Sequence, residues 1–285
     1  MKLIKSQLLI ISLLVSLNFT YFESVKAENI LEEIEQTGVL KVAIREDAVP
    51  FGYRDNNNNL KGICLDFFSL LKKQLSKKLN RNIITVNLFI SNLYNRFELV
   101  ENNLVHLECG PNTIRKLEEY EVEFSQPFFI TGTQLLVKNE LADKINTKEN
   151  LTNITIGLLR YTTTEKFIKN KYPDAEFEFF QGSKGNLRAI QAVQQNRINA
   201  FANDGILLIG EAILLGLPLN QKYTLIPETP MTCEKYGLIL PKNDPDWHNF
   251  VNSVINSTEE KQIIKDWFSV LNSQIHKNQE LCQDS

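Results

Sequence analysis

The chain has 285 residues, 31 lysines and arginines against 34 aspartates and glutamates, and a formal net charge of −3. That length fits one large domain or two of ordinary size, and the charge holds no basic excess that would point to nucleic acid. Three histidines, His106, His248 and His276, do not pair at metal-ligand spacing, so neither a zinc site nor another cofactor is expected.

In chain order, Lys2 and Lys5 precede a mostly apolar stretch from Leu8 to Leu17, and Val25-Lys26-Ala27 closes it. This is a secretory signal peptide over residues 1–27, cut after Ala27. No cysteine follows the cut, which argues against a lipid anchor at that point. The later apolar run Ile206 to Leu215 is too short for a bilayer and contains Glu211. Cys64, Cys109, Cys233 and Cys282 in an exported chain favour disulfides. Three connectivities are open, as are four buried thiols in a chain whose core does not need bridges.

Past the signal peptide, Ile30 to Glu35 reads as a short helix and Gly38 to Ile44 as a strand. Arg45 to Tyr53 is a loop and Asp55 to Asn59 a polar hairpin tip. Leu65, Phe68, Leu71, Leu75 and Leu79 mark an amphipathic helix by their spacings of three and four. Ile83 to Phe89 is a strand, Asn95 to Val100 a short helix, and Leu104 to Leu107 a strand that stops at Gly110-Pro111. Thr113, ahead of Lys116, Leu117, Glu118 and Glu119, stands where a helix would begin. A helix start with a hydroxyl and Arg115 beside it can hold an anion; a capped surface helix with a solvated arginine is the alternative.

Alternation then restarts. Gln134 to Lys138 and Ile154 to Leu159 are strands, and Thr162, Thr163 and Thr164 precede a helix beginning near Glu165. A hydroxyl-rich helix start is a second anion site, or a simple cap. Glu176 to Phe180 is a strand, Leu187, Ile190 and Val193 mark a helix, and Ala200 to Ala202 is a strand ending at Asn203-Asp204. That aspartate either serves a site or opens a turn. Tyr223 to Pro227 and Tyr236 to Leu240 are strands, and two helices close the chain. Strands alternating with helices predict a largely parallel sheet wrapped by helices, with ligands at the carboxyl ends of the strands, where Arg45, Arg96 and residues 110–115 fall. The strands at 134–138 and near 229–236 are the expected crossings between two lobes.

Several pieces, in this order and spacing, carry a resemblance: Gly38 to Ala43 with Arg45, Val49 to Asp55, Gly62 to Asp66, Asn95-Arg96, Glu108-Cys109-Gly110, Phe124-Ser125, Thr162-Thr163, Asp204, Tyr236-Gly237, Asp244-Pro245 and Trp267-Phe268. Together they resemble the family-3 solute-binding proteins, the polar amino-acid-binding proteins of ABC importers, and most closely their glutamate/aspartate branch. The resemblance implies an α/β fold of two lobes, the type II periplasmic-binding-protein fold, joined by two crossover strands. Lobe 1 would be 28–135 with 236–285, and lobe 2 136–235. It implies a periplasmic, monomeric receptor that is not an enzyme, closes on glutamate, aspartate or another polar amino acid, and delivers it to an ABC permease. A dehydratase-like enzyme on the same fold and a sensor docking to a receptor are the alternatives.

By the same resemblance, Asp204 takes the ammonium, and Thr113 with Thr162 and Thr163 takes the α-carboxylate beside Gly110. Phe51 packs on the ligand's carbons, and Arg45 and Arg96 hold a side-chain carboxylate. Glu118 stands where most of the family has its carboxylate-clamping arginine, and Arg115, three residues earlier, is the candidate replacement. Pro111 replaces a serine of the branch, Arg160-Tyr161 a Ser-Gly pair, and Ser183 a ligand-contacting histidine; Arg160 is thereby a candidate anion contact. The placement of Cys233 and Cys282 resembles a bridge that pins the C-terminal tail in this fold. Cys64 and Cys109, both in the first lobe, form the second expected pair.

Overall fold

The structure is a computed structural model that describes residues 29–269 and Cys282; the expected signal peptide lies outside the described residues. Two five-stranded sheets form the frame. The first has the order Thr85–Ser91, Val39–Arg45, Leu107–Cys109, Ile239–Pro241, Val122–Phe124. Its first three strands are parallel, and their register sets Arg45 beside Ser91 and Ile44 beside Cys109. The residues that follow these strands therefore share one rim, the carboxyl edge where α/β sheets bind ligands. The second sheet runs Glu176–Phe180, Thr155–Leu159, Ala200–Asp204, Thr133–Lys138, Tyr223–Ile226, and Asp204 ends its central strand.

The periodicity that predicts the long helix of the first lobe acts as expected. Of the expected positions Phe68, Leu71 and Leu75 are buried and Leu65 and Leu79 half-buried against the same core, and Cys64 and Phe67 complete the buried face of Ile63–Lys78. Cys64 is bonded to Cys109, which ties this helix to the strand end that leads into Gly110, and Cys233 is bonded to Cys282. The sequence separations of 45 and 49 residues are long enough for each bridge to stabilise the fold by about 4 kcal/mol in the chain-entropy picture.

The two sheets are joined by Phe129–Thr131 and Glu234–Tyr236, which pair antiparallel as a separate two-stranded ladder. This corrects the expected crossing at 134–138. Thr133–Lys138 is a full member of the second sheet, bonded on one side to Ala200–Asp204 and on the other to Tyr223–Ile226. A lobe boundary at 135 would cut through it. The crossing comes earlier because Thr131 is the last residue that pairs with the returning strand.

The lobes meet tightly. Ile206 and Leu207, at the start of the second-lobe helix Gly205–Leu214, pack into the first lobe's apolar core. On the same helix a Cβ at position 210 would lie 2.5 Å from the backbone oxygen of Val49 in the first lobe. Gly210→Ala is therefore expected to cost about 1–3 kcal/mol of lobe closure, the usual penalty of overpacking. Small-angle scattering should show a larger radius of gyration while far-ultraviolet circular dichroism stays unchanged. Scattering curves that superimpose on those of the parent protein would refute the contact.

Candidate functional site

A cavity lies between the lobes. Arg45, Arg96, Thr113 and Arg115 face it from the first lobe, and Thr162, Thr163, Thr164 and Asp204 from the second.

On the first-lobe side, Arg45 is 3 % exposed and its Nε donates to Asp47 Oδ1 at 2.7 Å. Burial is the largest influence and works against its charge, but Asp47, Glu108 and Tyr236 together outweigh it and hold its pKa above the usual arginine value. Nη1 of Arg45 is buried without a hydrogen-bond partner among the described residues. Arg96 begins the helix Arg96–Glu101 and is 4 % exposed. Its Nη1 donates to the neutral Asn112 Oδ1 at 3.0 Å, and its Nε has no hydrogen-bond partner among the described residues. Burial, and next the charge of Arg45, push its pKa down to about 9. The nearby carboxylate Glu108 is occupied by Ser91 (2.7 Å) and Asn112 (2.6 Å) rather than by a guanidinium. Gly110 lets the chain pass Arg45, since a Cβ there would lie 2.8 Å from Arg45 Cγ.

Residues 113–118 correct the expected helix start. Thr113 forms an isolated antiparallel bridge with Tyr236, Ile114 N donates to Lys235 O, and Gly237 N donates to Asn112 O. The segment is thus pinned to the returning crossover strand. It contributes only Ile114 and Leu117 as apolar positions, too few to hold a helix against the lobe. Arg115 does reach the cavity. Its Nη1 donates to Thr113 O at 3.1 Å, and its guanidinium lies 5.3 Å from the Phe97 ring centroid, with Arg96 over the same ring at 4.9 Å. Burial lowers its pKa, and Glu234 opposes that. Glu118 is exposed and ion-paired with Lys116.

The second-lobe side is a true helix start. Thr162 caps the helix Thr163–Lys171, accepting from Glu165 N at 3.0 Å, and Thr163 Oγ1 lies 3.4 Å from Thr113 Oγ1 of the other lobe. Thr163 also donates to Glu234 Oε2 at 3.3 Å. Asp204 is 5 % exposed and accepts from Thr164 Oγ1 at 3.1 Å and from the Tyr236 hydroxyl. Both partners are neutral. Burial, then the nearby Glu234, push the Asp204 carboxyl up to about 7 in spite of those two bonds. A chain of amides connects it to the opposite arginine. Asp204 N donates to Asn203 Oδ1, Asn203 to Asn186, Asn186 to Asp47 O, and Asp47 accepts from Arg45.

Three expected residues fall elsewhere. Phe51 is fully buried in the first-lobe core, edge-on to Phe128, Phe129 and Tyr236, and reaches the site only through the Tyr236 ring at 5.4 Å. Arg160 points outward, 4.0 Å over the Phe179 ring and 3.8 Å from Glu165, because the left-handed turn at Tyr161 carries it away from the cavity. Ser183 lines a separate groove with Glu46, Arg54 and Glu211. Thr164 belongs to the expected hydroxyl-rich helix start, whereas Asn112, Asn186, Glu234 and the hydroxyl of Tyr236 enter the site without a sequence expectation. The Tyr236-Gly237 pair is the visible signal for the last of these.

The sequence profile of the bacterial extracellular solute-binding proteins, family 3, matches residues 40–270. The chain belongs to that family. This solute-binding protein is 29 % identical over 253 residues to the glutamate/aspartate import solute-binding protein of Escherichia coli K12, covering 85 % of this chain and 79 % of that one. It is 26 % identical over 245 residues to the L-glutamate/L-aspartate-binding protein of Pseudomonas aeruginosa, covering 84 % and 80 %. Among solved structures, an ancestral amino-acid-binding protein that is a precursor of cyclohexadienyl dehydratase superposes with a TM-score of 0.69 at 23 % identity, over 84 % of this chain and 99 % of that one. A Streptococcus pneumoniae ABC-transporter substrate-binding protein with bound histidine gives 0.69 at 14 % identity, over 83 % and 95 %. These two likenesses show the two-lobed α/β fold.

Proposed function

We propose that this solute-binding protein captures an acidic amino acid, glutamate or aspartate, in the cavity between its lobes and delivers it to an ABC permease from the periplasm. One observation carries the reading. Among the described residues, the cavity sets a buried guanidinium with no carboxylate hydrogen-bonded to it, Arg96, opposite a buried carboxylate with no cation paired to it, Asp204. Each charge is costly where it stands, and a ligand bearing the opposite charge relieves it. Asp204 receives the ammonium. The side-chain carboxylate lies between Arg45 Nη1 and Arg96, and the α-carboxylate meets Arg115, Thr113 and the helix start at Thr162–Thr163. The names of the Escherichia coli and Pseudomonas aeruginosa relatives agree with an acidic ligand.

Calorimetric titration of ligand-stripped, refolded protein against the common amino acids tests this. Glutamate or aspartate should bind at least about tenfold more tightly than glutamine or asparagine, since a charged hydrogen bond contributes about 1.5–3 kcal/mol. No heat from any amino acid at millimolar concentration would rule the reading out.

A further inference from the structure

Two large aromatic side chains stand exposed at the mouth of the cleft, one from each lobe. Tyr94 is 43 % exposed and Tyr161 58 % exposed, and their rings meet edge to face with centroids 4.8 Å apart. The Tyr94 hydroxyl also crosses the cleft, donating to Gln181 Oε1 of the second lobe at 3.2 Å. Neither ring fills a core, yet both backbones are fixed. Asn92 Oδ1 accepts from the amides of Tyr94 (2.8 Å) and Asn95 (3.1 Å), which holds Tyr94 in an Asx turn. Tyr161 sits at φ 65°, a left-handed conformation rare for a bulky residue, and its amide donates to Glu165 Oε2 at 2.8 Å. Arg160, stacked on Phe179, anchors the turn from outside. On their inner sides both tyrosines adjoin the cavity wall, Tyr94 through Leu93 and Tyr161 through Thr162.

We propose that Tyr94 and Tyr161 form an aromatic latch between the lobes that sets the residence time of the captured ligand, as positioning residues that never touch it. This rests on the binding function proposed above. The contact exists only when the lobes are together, so it stabilises the closed form over the open one. It slows ligand release and leaves capture by the open form nearly unchanged. It is also blind to ligand identity, and so scales the release of every ligand by one factor.

Stopped-flow kinetics with glutamate and with aspartate test the latch. Glycine adopts the left-handed turn without strain, so Tyr161→Gly removes the ring and keeps the backbone. The dissociation rate should rise about three- to tenfold for both ligands, with the association rate within about twofold of the parent. Tyr161→Phe, which keeps the ring, should restore slow release. Tyr161→Gly added to Tyr94→Ala should accelerate release little further, because Tyr94→Ala already removes both the ring contact and the bond to Gln181. Unchanged dissociation in Tyr161→Gly, effects that multiply in the double variant, or a changed glutamate-to-aspartate ratio would each overturn the latch.

A second readout needs no kinetics and is taken with and without glutamate. Photo-oxidation with persulfate removes one hydrogen atom from each of two touching tyrosines and joins their ring carbons, persulfate being reduced to sulfate. Peptide mapping should find Tyr94 joined to Tyr161. That cross-link without glutamate or aspartate binding would defeat the ligand reading and uphold the latch. Binding of glutamate or aspartate with no cross-link in the ligand-saturated protein would defeat the latch alone.

Discussion

Asp204→Asn is expected to weaken amino-acid binding by about two to four orders of magnitude, or about 3–5 kcal/mol, the cost of truncating one partner of a buried charge pair. Asparagine keeps the shape of the side chain: its oxygen can accept from Tyr236 while its amide donates to the turned hydroxyl of Thr164, so the fold should survive. Only the charge that faces the ligand's ammonium is lost. The parent protein should show the same charge through pH. Its Asp204 carboxyl, raised to about 7 mainly by burial, carries a proton below that pH, and the ammonium must displace it. The dissociation constant should therefore rise about tenfold per pH unit as pH falls below about 7, and level off above it. Glu211, in the helix Gly205–Leu214, is also pushed up to about 7, by burial and by Asp47. The control is Glu211→Gln, which should retain the Asp204 part of the dependence, whereas Asp204→Asn should lose it. Calorimetry between pH 5 and 8 reads both. Tight binding by Asp204→Asn would remove the carboxylate from the site.

Arg96→Met should produce two effects of opposite sign. Affinity for glutamate should fall by about two orders of magnitude, because a buried charge-assisted bond to the ligand is lost. The ligand-free protein should meanwhile gain about 1–3 kcal/mol of stability, since a buried cation whose pKa is driven down to about 9 is replaced by an apolar chain of similar length. The stranded acceptor on Asn112 offsets part of that gain. The stabilisation should be present at every pH below about 9, where the parent guanidinium is charged, and fade above it. Thermal melts with and without glutamate separate the two effects. A variant both less stable and weaker in binding would make Arg96 a structural residue.

Much of this was legible in the residues. The alternation of strands and helices gave two sheets because strand and helix periods differ and each needs a covered apolar face. The helix Ile63–Lys78 and the threonine cap of Thr163–Lys171 follow from local rules, spacing in one case and hydroxyl-to-amide geometry in the other. What local rules could not supply was long-range pairing. The segment at Thr113 carries charges typical of a helix, yet its backbone is claimed by a strand more than a hundred residues later. Thr133–Lys138 looks like any isolated strand, and only its two neighbours in the second sheet tell it from a crossing. Phe51 and Arg160 were misplaced for a related reason. Each belongs to a turn near the cavity, and the turn's conformation, not the residue type, decides which way the side chain faces.

The most direct test of the central claim is a crystal structure of the protein with glutamate. The ammonium should lie against Asp204, the side-chain carboxylate between Arg45 and Arg96, and the α-carboxylate against Arg115 and Thr162–Thr163. A ligand whose side-chain carboxylate avoids both Arg45 and Arg96, or whose ammonium avoids Asp204, would contradict it.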